Sequence, residues 1–99
     1  MAGITEKIEL NGDATLSGAE TLKVRLLEAL GRCDELVLDL RGLESFDISF
    51  LQLLFSAQAS AAAAKKIILF PAPPNVELVK LATDLGIARP EGVGDEWPW

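Results

Sequence analysis

The part of the chain that most constrains the fold is a short apolar run followed by a polar connection and a long apolar helix. Residues 36–40 form a nearly continuous apolar run, which is typical of a strand buried on both faces. Polar residues and a glycine punctuate positions 41–45. Asp47 or Ser49 can then cap a helix that begins at Phe50. This pattern puts an acid and a hydroxyl at a helix N-terminus, where exposed N–H groups favour an anion such as phosphate.

Further elements are predicted on both sides of this unit. Residues 4–10 alternate as in a strand, and Asn11-Gly12 indicates a hairpin turn. Ser17 and Glu20 form a capping box for a helix that runs to Leu30, where Gly31 ends it.

The second helix is predicted from Phe50 to Ala64, and it is apolar almost all round. A strand at 67–70 follows, and then a helix that Asn75 caps and Gly86 stops. Strands separated by helices need crossover connections, so the order predicts a small α/β layer structure.

Composition excludes several classes of function. The 99 residues predict one domain over 1–88 and a loose tail over 89–99, whose Trp97 and Trp99 can dock on the body. The chain has no histidine and only Cys33, which argues against zinc sites and against Ser-His or Cys-His catalysis. It also has no glycine-rich phosphate loop, so we expect neither a metal nor an organic cofactor.

Charge and hydropathy bear on partners and location. A net charge of −6 without a basic run makes nucleic acid a poor partner. No apolar stretch approaches the roughly 20 residues that span a bilayer, and the first ten residues lack a signal-peptide pattern. We therefore expect a cytoplasmic protein without membrane insertion.

Residues 38–54 resemble the corresponding turn of the STAS domain, the fold of anti-sigma-factor antagonists. The shared features are a Leu-Asp-Leu run, an acid at the turn and a leucine-rich helix after it. The resemblance continues in order at 10–13, 66–70 and 79–87, and so covers most of the chain. It implies an α/β fold in which a mixed sheet carries helices mainly on one face.

The resemblance also implies a function. It predicts a non-enzymatic interaction module of bacterial signalling, whose partner is a switch kinase, an anti-sigma-like protein or another sensory-pathway protein. The family's phosphorylated hydroxyl residue follows the aspartate, but Ile48 stands there and cannot accept phosphate. Ser49 is either a helix cap or a displaced phosphorylation site. Phe50 replaces the family's usual glycine and is expected to anchor the partner, unless it belongs to the core. The predicted partner surface is Asp47, Ile48, Ser49, Phe50 and Gln52.

Two alternatives stay open. One is an accessory STAS subunit of a lipid-transport ATPase, which would dock through the same turn and helix. The other is a STAS domain that binds a small ligand or nucleotide, for which no glycine-rich loop or basic pocket is visible.

Overall fold

The computed structural model describes residues 3–71, 76–94 and 97–99. Within these residues, three strands alternate with three helices, whereas the sequence predicts a hairpin of two strands before the first helix. The elements are β1 (Thr5–Ala14), α1 (Leu16–Arg32), β2 (Glu35–Phe46), α2 (Ile48–Ala63), β3 (Ile67–Leu69) and α3 (Val76–Asp84).

The strands form one sheet in the order β1-β2-β3, and both pairs are parallel. Helices α1 and α2 therefore serve as the crossovers between neighbouring strands. The α/β class is confirmed, but the described strands form a parallel sheet instead of the predicted mixed one.

The hairpin turn predicted at Asn11-Gly12 is wrong. A hairpin would have added an antiparallel strand, and without it the described strands pair only in parallel. Both residues lie within β1, where Asn11 pairs with Gly42 and Gly12 pairs with Leu43 of β2. The register shifts on either side of them, and Gly12 has a φ of 76°. The glycine therefore serves a bulge in a continuous strand, because pairing along β2 outweighs the local turn preference.

The core lies on one face of the sheet. Leu36, Leu38 and Leu40 alternate along β2 and are buried on that face together with apolar residues of α1 and α2. The opposite face of β1 carries the exposed ion pair between Lys7 and Glu9. One sheet face is thus packed under helices, as expected for this fold.

Several predicted boundaries need correction. Helix α1 begins at Leu16 with Thr15 as N-cap, so Ser17 lies in the first turn, and its side chain is outside the described residues. Gly31 is inside α1, which continues to Arg32. Strand β2 continues through the predicted connection at 41–45, because β1 pairs with it as far as Phe46.

The end of α3 agrees with prediction, and Asn75 lies outside the described residues. Gly86 has a φ of 69°, its N–H donates to the Thr83 carbonyl, and the Ile87 N–H donates to the Ala82 carbonyl. This left-handed glycine ends the helix as expected.

The C-terminal segment is not loose along its whole length. Residues 87–94 have no helix or strand, but Trp97, Pro98 and Trp99 are buried. The two indoles pack on the core, which is the docked arrangement considered for them. In the described part of the chain, no helix is both long and apolar enough to cross a membrane.

Candidate functional site

The turn between β2 and α2 carries the predicted site, and Asp47 shapes it. Asp47 has an extended backbone, and its Oδ1 accepts a hydrogen bond of 2.9 Å from the Ser49 N–H. The Phe50 N–H donates to the Asp47 carbonyl at 3.0 Å. Asp47 is therefore the N-cap of α2, which confirms one of the two caps proposed from sequence.

The predicted partner surface divides into outward and inward residues. Ile48 is 43% exposed, Gln52 is exposed, and Asp47 and Ser49 are half-buried. Ile48 and Gln52 share a helix face because they are four residues apart.

The role of Phe50 as a partner anchor is wrong. Its side chain is 0% exposed, and its ring centroid lies 6.4 Å from that of Phe46. Phe50 lies on the inward face of α2, where Leu53, Leu54 and Ala57 are also buried. Helical periodicity turns position 50 towards the sheet when position 48 faces outward.

A groove of 590 Å³ extends the outward face of this turn. It is lined by apolar and small polar side chains, namely Ile48, Leu51, Gln52, Phe55, Ser56 and Ile87. The sequence prediction missed Phe55 and Ser56, although the spacing from Ile48 by seven and eight residues puts them on the same helix face. It also missed Ile87, which reaches the groove from the segment after α3 and carries no sequence signal for that contact.

None of the residues that line this groove is a histidine, cysteine, aspartate or glutamate. No group of three or more His, Cys, Asp or Glu side chains lies together as a metal site within the described ranges. Cys33 is buried, and burial, together with the charge of Glu6, raises the pKa of its thiol, which disfavours the reactive thiolate. What the groove does offer is apolar contact area with a polar edge.

A second polar site lies on β2, apart from the groove. Asp39 is buried, and Arg41 donates to it from Nε at 3.0 Å and from its terminal nitrogen at 2.6 Å. These hydrogen bonds lower the pKa of Asp39 to about 2. The carboxylate and guanidinium satisfy each other, so this pair supports the strand.

A family model described as "Mlab, STAS domain" matches residues 1–89. No curated protein matches the chain significantly. Among solved structures, the unphosphorylated anti-sigma factor antagonist SpoIIAA is similar with a TM-score of 0.63 and 16% identity, over 94% of this chain and 94% of that chain.

Two other structures are similar. The phosphorylated form of the Bacillus cell fate determinant SpoIIAA has a TM-score of 0.63 and 20% identity, over 84% of this chain and 76% of that chain. The crystal structure of Mglu matches 70% of this chain with a TM-score of 0.60 and 20% identity, and the match covers 17% of that longer chain. At these identities the likeness concerns the fold.

Proposed function

This chain belongs to the STAS domain family, and on that premise we propose that it is a non-enzymatic protein-interaction module of bacterial signalling. Its mode of action would be like that of an anti-sigma-factor antagonist, with a switch kinase, an anti-sigma-like protein or a sensory-pathway protein as partner. The module would meet such a partner in the cytoplasm.

The observation that carries the proposal is the groove beside the N-terminus of α2. Its apolar floor and its polar edge, formed by Gln52 and Ser56, have the anatomy of a protein interface with an apolar centre and a polar rim. Ile48 takes the place of Phe50 as the proposed anchor, because it is the apolar side chain that the turn exposes.

Control by phosphorylation would differ from the family's usual scheme. Ile48 occupies the position of the acceptor and has no hydroxyl. Ser49 is half-buried, and its backbone N–H already donates to Asp47. We therefore propose that the module binds its partner without a phosphorylation switch at this turn.

The test is a pair of matched substitutions, Ile48→Glu and Val24→Glu. Both side chains are exposed apolar residues on helices, at 43% and 51%. A glutamate at position 48 lies in the first turn of α2, where a negative charge suits the helix dipole, so the fold should persist. The partner would be captured with the wild-type chain, identified by mass spectrometry and then titrated calorimetrically.

Ile48→Glu should weaken partner binding at least tenfold, since a charge enters the apolar centre of the interface. Val24→Glu should bind like the wild type. If Ile48→Glu keeps full affinity and an unchanged melting temperature, the groove is not the docking surface.

The lipid-transport alternative uses the same surface, and one observation favours it as well. A docking subunit that needs no phosphorylation would tolerate Ile48 in the acceptor position. The neighbouring genes separate the two functions: kinase-like or sensory genes support signalling, whereas permease and ATPase genes support transport. A nucleotide-binding role has no specific support from the described residues.

A further inference from the structure

The C-terminal residues Trp97, Pro98 and Trp99, here called the clasp, fill an aromatic cleft on the body of the domain. The Trp97 ring lies 5.3 Å from Phe70 and 6.4 Å from Phe55, measured between centroids and edge-on in both cases. The Trp99 ring lies 5.8 Å from Phe55 and 5.1 Å from Trp97. The receptor side of the cleft is therefore built by α2 and by the residue that follows β3.

Two hydrogen bonds from side-chain donors to main-chain carbonyls fix the end of the clasp. Arg89 Nε donates to the Trp99 carbonyl at 2.7 Å, and Trp99 Nε1 donates to the Ala88 carbonyl at 3.2 Å. The cleft thus recognises both a main-chain oxygen and an indole N–H, which are features that any peptide with this chemistry presents.

Trp97 is a less perfect fit than Trp99. It is 2% exposed, yet its Nε1 has no hydrogen-bond partner among the described residues. A buried donor without a partner loses its hydration and gains nothing in return. The cleft thus fits the Trp97 ring, while the described residues offer its N–H no acceptor.

The family model matches the residues that build the cleft but not the clasp. The family model matches residues 1–89, which include Phe55, Phe70, Ala88 and Arg89. The clasp lies beyond that match. Residues 87–94, which precede it, have no helix or strand, and Gly92 among them has a φ of 84°. The cleft is thus part of the domain, and its occupant is an added segment.

The clasp has the properties of a peptide ligand. Pro98 has a fixed φ, and a residue before proline is restricted to extended conformations, so Trp97 loses little freedom when it binds. Aromatic-lined grooves commonly recognise such preordered proline segments. We propose that the cleft is a peptide-recognition site with the clasp as its resident ligand. An aromatic-proline-aromatic segment of a partner protein enters it by displacing the clasp.

The experiment uses the full chain carrying Trp97→Ala and Trp99→Ala. This variant lacks tryptophan, because the chain has only two. A synthetic amidated peptide of residues 93–99 then carries the only indoles, and its fluorescence reports binding directly. We expect a saturable blue shift with the variant and at least tenfold weaker binding to the wild type, measured calorimetrically, because the clasp competes there.

Three controls define the site. The same peptide with both tryptophans replaced by alanine should not bind. Adding Phe70→Ala to the variant should weaken binding of the intact peptide at least fivefold. A peptide with benzothienylalanine at the position of Trp97 keeps the ring shape without the N–H, and it should bind at least fivefold more tightly.

Each result of the binding measurements either supports the peptide site or overturns it. If the variant is unfolded by circular dichroism, the peptide should restore its helical signal, and failure to do so would overturn the proposal. A folded variant that does not bind, or equal binding by wild type and variant, would also overturn it. Val24→Glu, at an exposed position of α1 that lines neither site, should leave peptide binding unchanged. The test uses no partner of the groove, so its outcome is independent of the proposed function.

Discussion

At the turn between β2 and α2, we expect Phe50 to contribute to the stability of the fold and not to partner binding. Its ring is fully buried beside Phe46, so Phe50→Ala should leave a cavity and cost about 3–5 kcal/mol of unfolding free energy. Gln52→Ala is the control on the exposed face, and it should change stability by less than about 0.5 kcal/mol. Urea titrations of both variants check this. If Phe50→Ala were as stable as the wild type, Phe50 would not be a core residue.

Ser49 tests the proposed absence of a phosphorylation switch. A phosphate on Ser49 would add about 1.5 to 2 negative charges. They would come next to the Asp47 carboxylate, which already accepts from the Ser49 N–H. We expect little or no phosphate on Ser49 after incubation with the cognate kinase, and none at Ile48. Intact mass spectrometry measures it, with Ser49→Ala as the control, and stoichiometric modification of Ser49 would contradict the proposal.

Asp39 should make the stability of the fold depend on pH in the acidic range. Hydrogen bonds from Arg41 lower its pKa from 3.8 to about 2. The carboxyl binds protons more weakly in the folded state, so the pair stabilises the fold above about pH 4. That contribution is lost as the pH falls from about 4 through about 2.

In Asp39→Asn this contribution is missing at every pH. The gap in melting temperature between wild type and variant should therefore be widest above pH 4 and should narrow towards pH 2. Thermal melts at half-unit steps in pH measure it. A gap that stays constant across this range would show that the pair does not titrate as described.

At the scale of elements, two glycines should respond to the same substitution with opposite sign. Gly12 has a φ of 76° in the bulge of β1, whereas Gly31 lies within α1, and a Cβ at either position meets no atom within 4 Å. Gly12→Ala should cost about 1–2 kcal/mol through backbone strain alone. Gly31→Ala should add up to about 1 kcal/mol of stability, because alanine favours the helix. Urea titrations decide it, and a stabilised Gly12→Ala would refute the bulge.

The same glycines show what the sequence can predict about the elements. Helix α2 and its Asp47 cap follow from local apolar periodicity and capping chemistry, and both were found. The bulge at Gly12 and the helical Gly31 were missed, since a local turn signal cannot reveal that β2 offers a long pairing partner or that α1 packs past its glycine.

Some residues of the candidate site could be predicted from the sequence, and others could not. Ile48 and Gln52 share an exposed face because they are one helical turn apart, and this was available from the sequence. Whether Phe50 turned inward depended on the phase of the helix relative to the sheet, which is a tertiary property. Ile87 joins the groove from another element, so no local pattern could place it there.

At the scale of the molecule, the groove and the clasp are neighbours. Phe55 lines the groove and also contacts both indoles of the clasp. Ile87 lines the groove directly before Ala88 and Arg89, which bind Trp99. Displacement of the clasp would therefore free one wall of the groove to move, so the two sites are expected to influence each other.

The clasp should also open before the rest of the domain unfolds. Its two tryptophans are the only ones in the chain, so fluorescence reports the clasp while far-ultraviolet circular dichroism reports the helices. Residues 87–94, which precede it, have no helix or strand, and the buried Trp97 Nε1 has no hydrogen-bond partner within the described ranges, so we expect the closed state to be weakly held. In a urea titration we expect the emission to shift to longer wavelength at a lower concentration than the helical signal is lost. A peptide of residues 93–99 with both tryptophans replaced by alanine, added in excess, should not move the fluorescence midpoint. Coincident midpoints would mean that the clasp unfolds together with the core, and the tryptophans would then be ordinary core residues.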